Sequence, residues 1–168
     1  MLTGEERYLE AAEKGTEYLH DHMRFLDESE EICYWYHGVD VKLDGSMQKV
    51  FASEFGDDHH AIPAYEQIYA LAGPTQTYRV TGDPQIKRDL DLTINLFDRY
   101  FLDKTEHGGF FYHIDPITLS PHCPTLGVNR AKKNWNSIGD HAPAFLINMY
   151  LATGEKRCAD FLEYTFDL

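Results

Sequence analysis

"TGDPQIKRDLDLT", Thr81–Thr93, names the repeating unit of this chain. Gly82 suits the left-handed end of a helix, and Pro84 stands where a new helix can begin without losing a needed N–H. Thr-Gly-Asp-Pro therefore predicts a tight turn between two antiparallel helices. The same opening recurs as "TGEERYLEAAEKG" from Thr3 and "TGEKRCADFLEYT" from Thr153, each running into a helical pattern. After the first two copies the likeness continues. "FLD" at 25–27 is answered by "FLD" at 101–103, and "YWYHGVD" from Tyr34 by "FFYHID" from Phe110, all at one offset. Matches in one order at one spacing predict an internal duplication, with units starting near residues 3, 81 and 153.

Each unit reads as a helix pair with a short extended insert. Tyr8, Leu9, Ala12, Thr16, Leu19, Met23 and Leu26 recur at steps of three and four, as do Ile86, Leu90, Ile94, Phe97 and Phe101, and such stripes belong to amphipathic helices. The partner helices fall at roughly 61–80 and 142–152; the first carries Gly73 and Pro74 and is expected to bend there. "ICYWYHGVDV" and "GGFFYHID" are aromatic-rich and follow polar breaks, which predicts β hairpins near Tyr34 and Phe111. The expected fold is all-α: antiparallel helical hairpins of a partial α/α toroid with short β-hairpin inserts, in a single domain over residues 1–168.

Composition narrows the function. A hydrophobic share of 43% with 26% charged residues describes a globular chain and excludes a disordered one. Asp and Glu outnumber Lys and Arg by 28 to 15, and the basic residues are scattered, so nucleic acid is not an expected partner. The charged start excludes a secretory signal and no apolar run approaches a membrane span, so neither membrane insertion nor export is expected. Cys33, Cys123 and Cys158 are odd in number and far apart, as in a reducing compartment, and the expected location is cytoplasmic. Nine histidines include no HExxH and no Cys/His ligand spacing, so no metal and no other cofactor is expected.

Two segments carry candidate chemistry. "GDDHHAIPAY", Gly56–Tyr65, and "GDHAPAF", Gly139–Phe145, share an order of residue types, and each places an acid and a histidine just before a helix start. A repeat built of hairpins puts both at one end of the array. Histidine titrates near neutrality and suits proton transfer, and a helix N-terminus disfavours a positive charge. The candidate catalytic residues are His141, His60, His59, Asp140 and Asp58. As helix N-caps, Asp57, Asp58 and Asp140 have a purely structural alternative. Trp35, Tyr36, Phe111, Tyr112 and Trp135 could stack on the apolar face of a sugar, with His113 and Arg130 as polar contacts; core packing of the same aromatics is the competing expectation. Lys132 and Lys133 complete a basic loop beside Trp135.

"EQIYALAGPTQTYRVTGDP", "HGGFFYHID" and "NWNSIGDHAPAFLINMYLATGE" together resemble the N-acylglucosamine 2-epimerase superfamily, across residues 51–168 and, through the repeat, the first fifty. The resemblance implies about half of an (α/α)6 toroid, a small carbohydrate as partner, and epimerase or isomerase chemistry at C2 of an aldose or N-acylhexosamine. It implies that His141, after Trp135-Asn136, is the catalytic base. Asp140 intervenes between Gly139 and His141, and Ala144 stands where the sugar epimerases carry an acid. The family's second catalytic histidine falls outside these residues, leaving His59, His60 or a residue of a partner chain as the returning acid. Two alternatives stand beside this: an α/α-toroid glycoside hydrolase using the paired carboxylates of Asp58 and Asp140, and a non-catalytic half-toroid that binds a sugar or a protein. Half a ring would leave apolar stripes open at both ends: Tyr8, Leu9, Ala12, Leu19 and Met23 on the first helix, and Cys158, Phe161, Leu162 and Phe166 on the last. A homodimer through these terminal helices is expected.

Overall fold

The computed structural model describes residues 3–51, 53, 60–133, 139 and 141–167. Among the described residues five α-helices dominate: α1 (Glu6–His22), α2 (Ala64–Thr81), α3 (Pro84–Leu96), α4 (His141–Thr153) and α5 (Lys156–Phe166). Six short strands pair antiparallel in three two-stranded sheets. β1 (Arg24–Asp27) pairs with β2 (Ile32–Trp35), β3 (Gly38–Val41) with β4 (Met47–Val50), and β5 (Ile62–Pro63) with the distant β6 (His113–Ile114). The fold is mostly helical.

The three Thr-Gly-acid openings adopt one geometry. Gly4, Gly82 and Gly154 have φ of 71°, 70° and 69°, values open to glycine at little steric cost. In each copy the threonine hydroxyl accepts from the N–H two residues on, at 3.3 Å for Thr3, 3.3 Å for Thr81 and 3.2 Å for Thr153. Turn and cap are local chemistry, so the repeat is visible without tertiary context. The second copy adds a true side-chain cap, Asp83 accepting from the Gln85 N–H at 2.8 Å.

Across the layers the helices alternate. α2 packs on α1, α3 and α4, and α4 on α5. Tyr69 meets His141, Thr75 meets Met149 and Gln76 meets Asn148, so α2 and α4 run parallel with their N-termini at one end. α3 and α5 are likewise parallel, since Lys87 meets Glu155, Asp91 meets Arg157 and Asn95 also reaches Arg157. α1 packs on α2, and Asp89 of α3 accepts from His20 at the end of α1 at 2.6 Å and from Arg24 of β1 at 2.5 Å. The core lies between the layers and under β2, all four residues of which are buried against α3.

The second "FLD" also leads into an antiparallel pairing, but one residue out of register with the first and starting from a helical turn instead of a strand. Phe25 pairs with Tyr34 in the β1–β2 hairpin, and Leu102 bridges Phe110 after a π-helical last turn at Phe97–Phe101. All five residues of the α3 stripe are buried.

Three expectations are corrected. α1 stops at His22, so Leu26 reaches the core from β1 rather than from the helix stripe; hairpin pairing with Cys33 takes over where the helix ends. α2 begins at Ala64, because Ile62–Pro63 is occupied by pairing with β6. The stripe on the last helix is largely closed within the chain: Cys158 is fully buried and Phe161 and Leu162 pack on the core, while Phe166 alone of that set is exposed. On α1, Leu19 is also packed on the core, whereas Tyr8 and Ala12 face solvent.

Candidate functional site

The parallel run of α2 and α4 brings their first turns together. His141 opens α4, and its Nε2 is hydrogen-bonded to the hydroxyl of Tyr69, with the rings edge-on at 5.0 Å between centroids. Tyr69 is 58% exposed, so this pair faces outward. One helical turn earlier Tyr65 shares its face of α2, edge-on to Tyr69 at 6.1 Å and stacked on Tyr112 at 5.7 Å and 15°.

Tyr112 is placed by backbone. Its carbonyl accepts the Ala64 N–H at 2.9 Å, satisfying one of the donors that a helix start leaves over, and its own N–H donates to the Lys132 carbonyl at 2.8 Å. Lys132 then sets its ammonium 5.7 Å from the centre of the Tyr112 ring and 3.2 Å from the Asn129 side-chain oxygen. His113, next in sequence, is fully buried, its ring 4.1 Å from that of Tyr112.

At the other edge of the α2 face stands Glu66. Its Oε1 is 2.6 Å from His37 Nδ1 and accepts from the Tyr65 hydroxyl at 3.3 Å. A carboxylate can only accept, so Nδ1 carries the hydrogen and Nε2 is the ring atom turned away from Glu66. His37 follows Tyr36 on the link between β2 and β3. The site therefore joins two imidazoles, a carboxylate and three tyrosines around the N-terminal ends of two parallel helices.

The loop behind it is anchored by two acids. Asp103 is paired with Lys133, which holds its carboxyl down at about 2, helped by the Thr105 N–H; Lys133 also donates to the Gly108 carbonyl. For Asp115, burial pushes the carboxyl up, but the Thr125 hydroxyl at 2.6 Å, the Thr118 N–H at 2.7 Å and further donors outweigh it and leave it at about 2.

Of the residues singled out from sequence, His141, Tyr112 and His113 gather here. Asp58, His59, Asp140 and Trp135 lie outside the described residues. His60 precedes α2 by four residues, exposed, with φ of 63°. Trp35 is a core residue and not a stacking platform: it is 2% exposed, its indole N–H donates to Thr93 at 3.0 Å, and Gln67 takes up both its backbone groups. Tyr36 is half-buried, edge-on to Tyr34 and Phe51. Arg130 is exposed beyond the 3-10 turn Pro124–Asn129. Phe111 is buried against His122.

Sequence reasoning missed His37, Tyr65, Glu66 and Tyr69. A signal existed: Tyr65 and Tyr69 are four apart on a predicted helix, and Tyr69 and His141 precede the two Thr-Gly turns by the same distance. Among the described residues no group of three or more His, Cys, Asp or Glu could hold a metal ion, and no helix is long and apolar enough to cross a membrane. Compared with known proteins, the chain matches no protein-family model, and no curated protein matches it at a significant level.

Proposed function

We propose that this chain handles a small carbohydrate as a sugar 2-epimerase or isomerase of the N-acylglucosamine 2-epimerase type, built as part of an α/α toroid. The parallel run of α2 with α4 and of α3 with α5 supports the architecture. What carries the chemistry is the placement of His141 at the start of α4, oriented by the Tyr69 hydroxyl and bordered by the Tyr65–Tyr112 stack.

Of these rings Tyr69 is exposed and Tyr65 partly so, and they offer the apolar C–H face of a sugar a surface, with Tyr112 buried behind Tyr65 as its support; the phenol hydroxyls and Lys132 offer polar partners to its oxygens. Epimerisation begins with an open-chain aldose. The imidazole of His141 takes the C2 proton, the C–H electron pair moves into a C1–C2 double bond, and the carbonyl oxygen becomes the enediolate oxygen. Return of a proton to the opposite face of C2 restores the carbonyl and yields the epimer. A positioned acid/base group contributes typically 10²- to 10⁴-fold to such a step.

The test is incubation with glucose, mannose and their 2-acetamido analogues in deuterated water, followed by NMR at C2. Deuterium is expected at C2, and His141→Asn is expected to lower the rate by about a hundredfold or more with the helical circular dichroism unchanged. Full activity in a folded His141→Asn protein, or release of reducing ends from glycosides without exchange at C2, would refute this reading.

A further inference from the structure

An epimerase needs a proton donor on the face opposite its base, and the geometry points to His37, oriented by Glu66, as that second catalytic group. The inference rests on the epimerase reading of the site and assigns the role that neither His59 nor His60 has been shown to fill.

The argument begins with how His37 is held. An exposed histidine on a link between two strands would ordinarily sample many rotamers. Here the His37 side chain is 42% exposed while the Glu66 side chain that grips it is only 10% exposed. The carboxylate is itself fixed, because it sits on the first turn of α2 and accepts from the Tyr65 hydroxyl. A carboxylate on Nδ1 sets the tautomer of the neutral ring, stabilises the imidazolium that forms when Nε2 takes a proton, and aims Nε2 outward. Such an arrangement suits a group that alternately accepts and donates a proton. A merely structural surface histidine needs none of it.

Position gives the second line. Glu66 and Tyr69 are three residues apart on one helix face, which places their Cβ atoms about 5–6 Å from each other. Tyr69 holds His141 and Glu66 holds His37. Tyr65 touches both Tyr69 and Glu66 and stacks on Tyr112. Both imidazoles are thus held by side chains of the first two turns of α2, beside the same tyrosines, and the assignment requires them to meet the substrate carbon from opposite sides. The duplication gives a third line: His37 in "YWYHGVD" and His113 in "FFYHID" are counterparts, yet His113 is fully buried and only His37 is presented to solvent.

Proton balance closes without any added reactant. In one direction His141 removes the C2 proton and His37, as imidazolium, returns one from Nε2 to the other face; in reverse the roles exchange, and solvent restores both rings between turnovers.

The experiment follows exchange and interconversion separately for two sugars of opposite C2 configuration. His37→Gln keeps an amide N–H for Glu66 and removes the titrating ring. In that variant C2 exchange is expected to persist for the epimer whose hydrogen faces His141, while exchange from the other epimer and epimer interconversion fall at least a hundredfold; His141→Asn is expected to show the complementary loss. Interconversion within a few-fold of wild type in His37→Gln, or loss of exchange from the same epimer in both variants, overturns the assignment of His37 and leaves the epimerase reading intact. Absence of C2 exchange in the wild-type protein overturns that reading and this assignment with it.

Discussion

At the residue scale, the buried acids explain more of the site's rigidity than the histidines do. Asp115 is 4% exposed and its oxygens gather the hydroxyls of Thr118 and Thr125 with two backbone N–H groups, which fastens the loop leading to Asn129 and Lys132 and, through them, to the Tyr112 ring. Its carboxyl is held at about 2, below the usual carboxylate range. A depressed carboxylate stabilises the fold above its unfolded pKa, and that contribution is lost as pH falls through the folded value. Urea midpoints are therefore expected to fall between about pH 4 and pH 2, and Asp115→Asn is expected to be less stable at pH 5 with a flatter decline across that window. Parallel declines in the two proteins would remove Asp115 from the explanation. Cys33 makes the opposite case: burial pushes its thiol up to about 12, so it is an inert packing group.

Turns decide matters at the element scale. Gly82 has positive φ, and a Cβ added there would meet nothing within 4 Å, so Gly82→Ala is penalised by backbone conformation alone. That cost is about 1–2 kcal/mol. Asp83→Ala removes the cap to Gln85 and is expected to cost about 1 kcal/mol more. Glu5→Ala is the control, because Glu5 holds the equivalent position before α1 without a side-chain cap bond and its loss should leave the urea midpoint unchanged. Equal effects at Asp83 and Glu5 would show that the repeat shares a turn shape without sharing capping energetics.

At the scale of the whole molecule, two of the exposed apolar areas among the described residues lie on helices and could meet. One is a groove of about 480 Å³ between α1 and α2, bordered by Tyr8, Leu9, Ala12, Pro74 and Val80. The other is the outer face of α4, where Ile147, Tyr150 and Leu151 are each about half exposed. Within the chain α4 already packs beside α2, so the α4 face of a second copy in the α1–α2 groove would repeat an existing helix pairing. A two-fold dimer makes that contact twice and closes. Each square ångström so covered contributes about 25 cal/mol. Sedimentation at micromolar concentration is expected to give a dimer, and Leu151→Glu a folded monomer. A compact wild-type monomer would rule out this assembly. Phe161 and Leu162 are unsuitable for the test, since both are packed on the core.

Local chemistry was enough to read most of the helices and the Thr-Gly turns from sequence. Thr-Gly-acid openings, a proline at a helix start and stripes at steps of three and four act within a few residues, and the structure reproduces the Gly4, Gly82 and Gly154 geometry and the burial of Ile86, Leu90, Ile94, Phe97 and Phe101. His141 could be named because it belongs to such a local word. For Trp35 the sequence left sugar stacking and core packing both open, because aromatic content does not say which way a strand faces; Thr93 and Gln67, remote in sequence, decide for the core. The Tyr69–His141 and His37–Glu66 pairs depend on which helices lie parallel and on a strand link folding back onto the first turn of α2. Contacts between residues so far apart along the chain follow from packing of whole elements, which no short window of sequence contains.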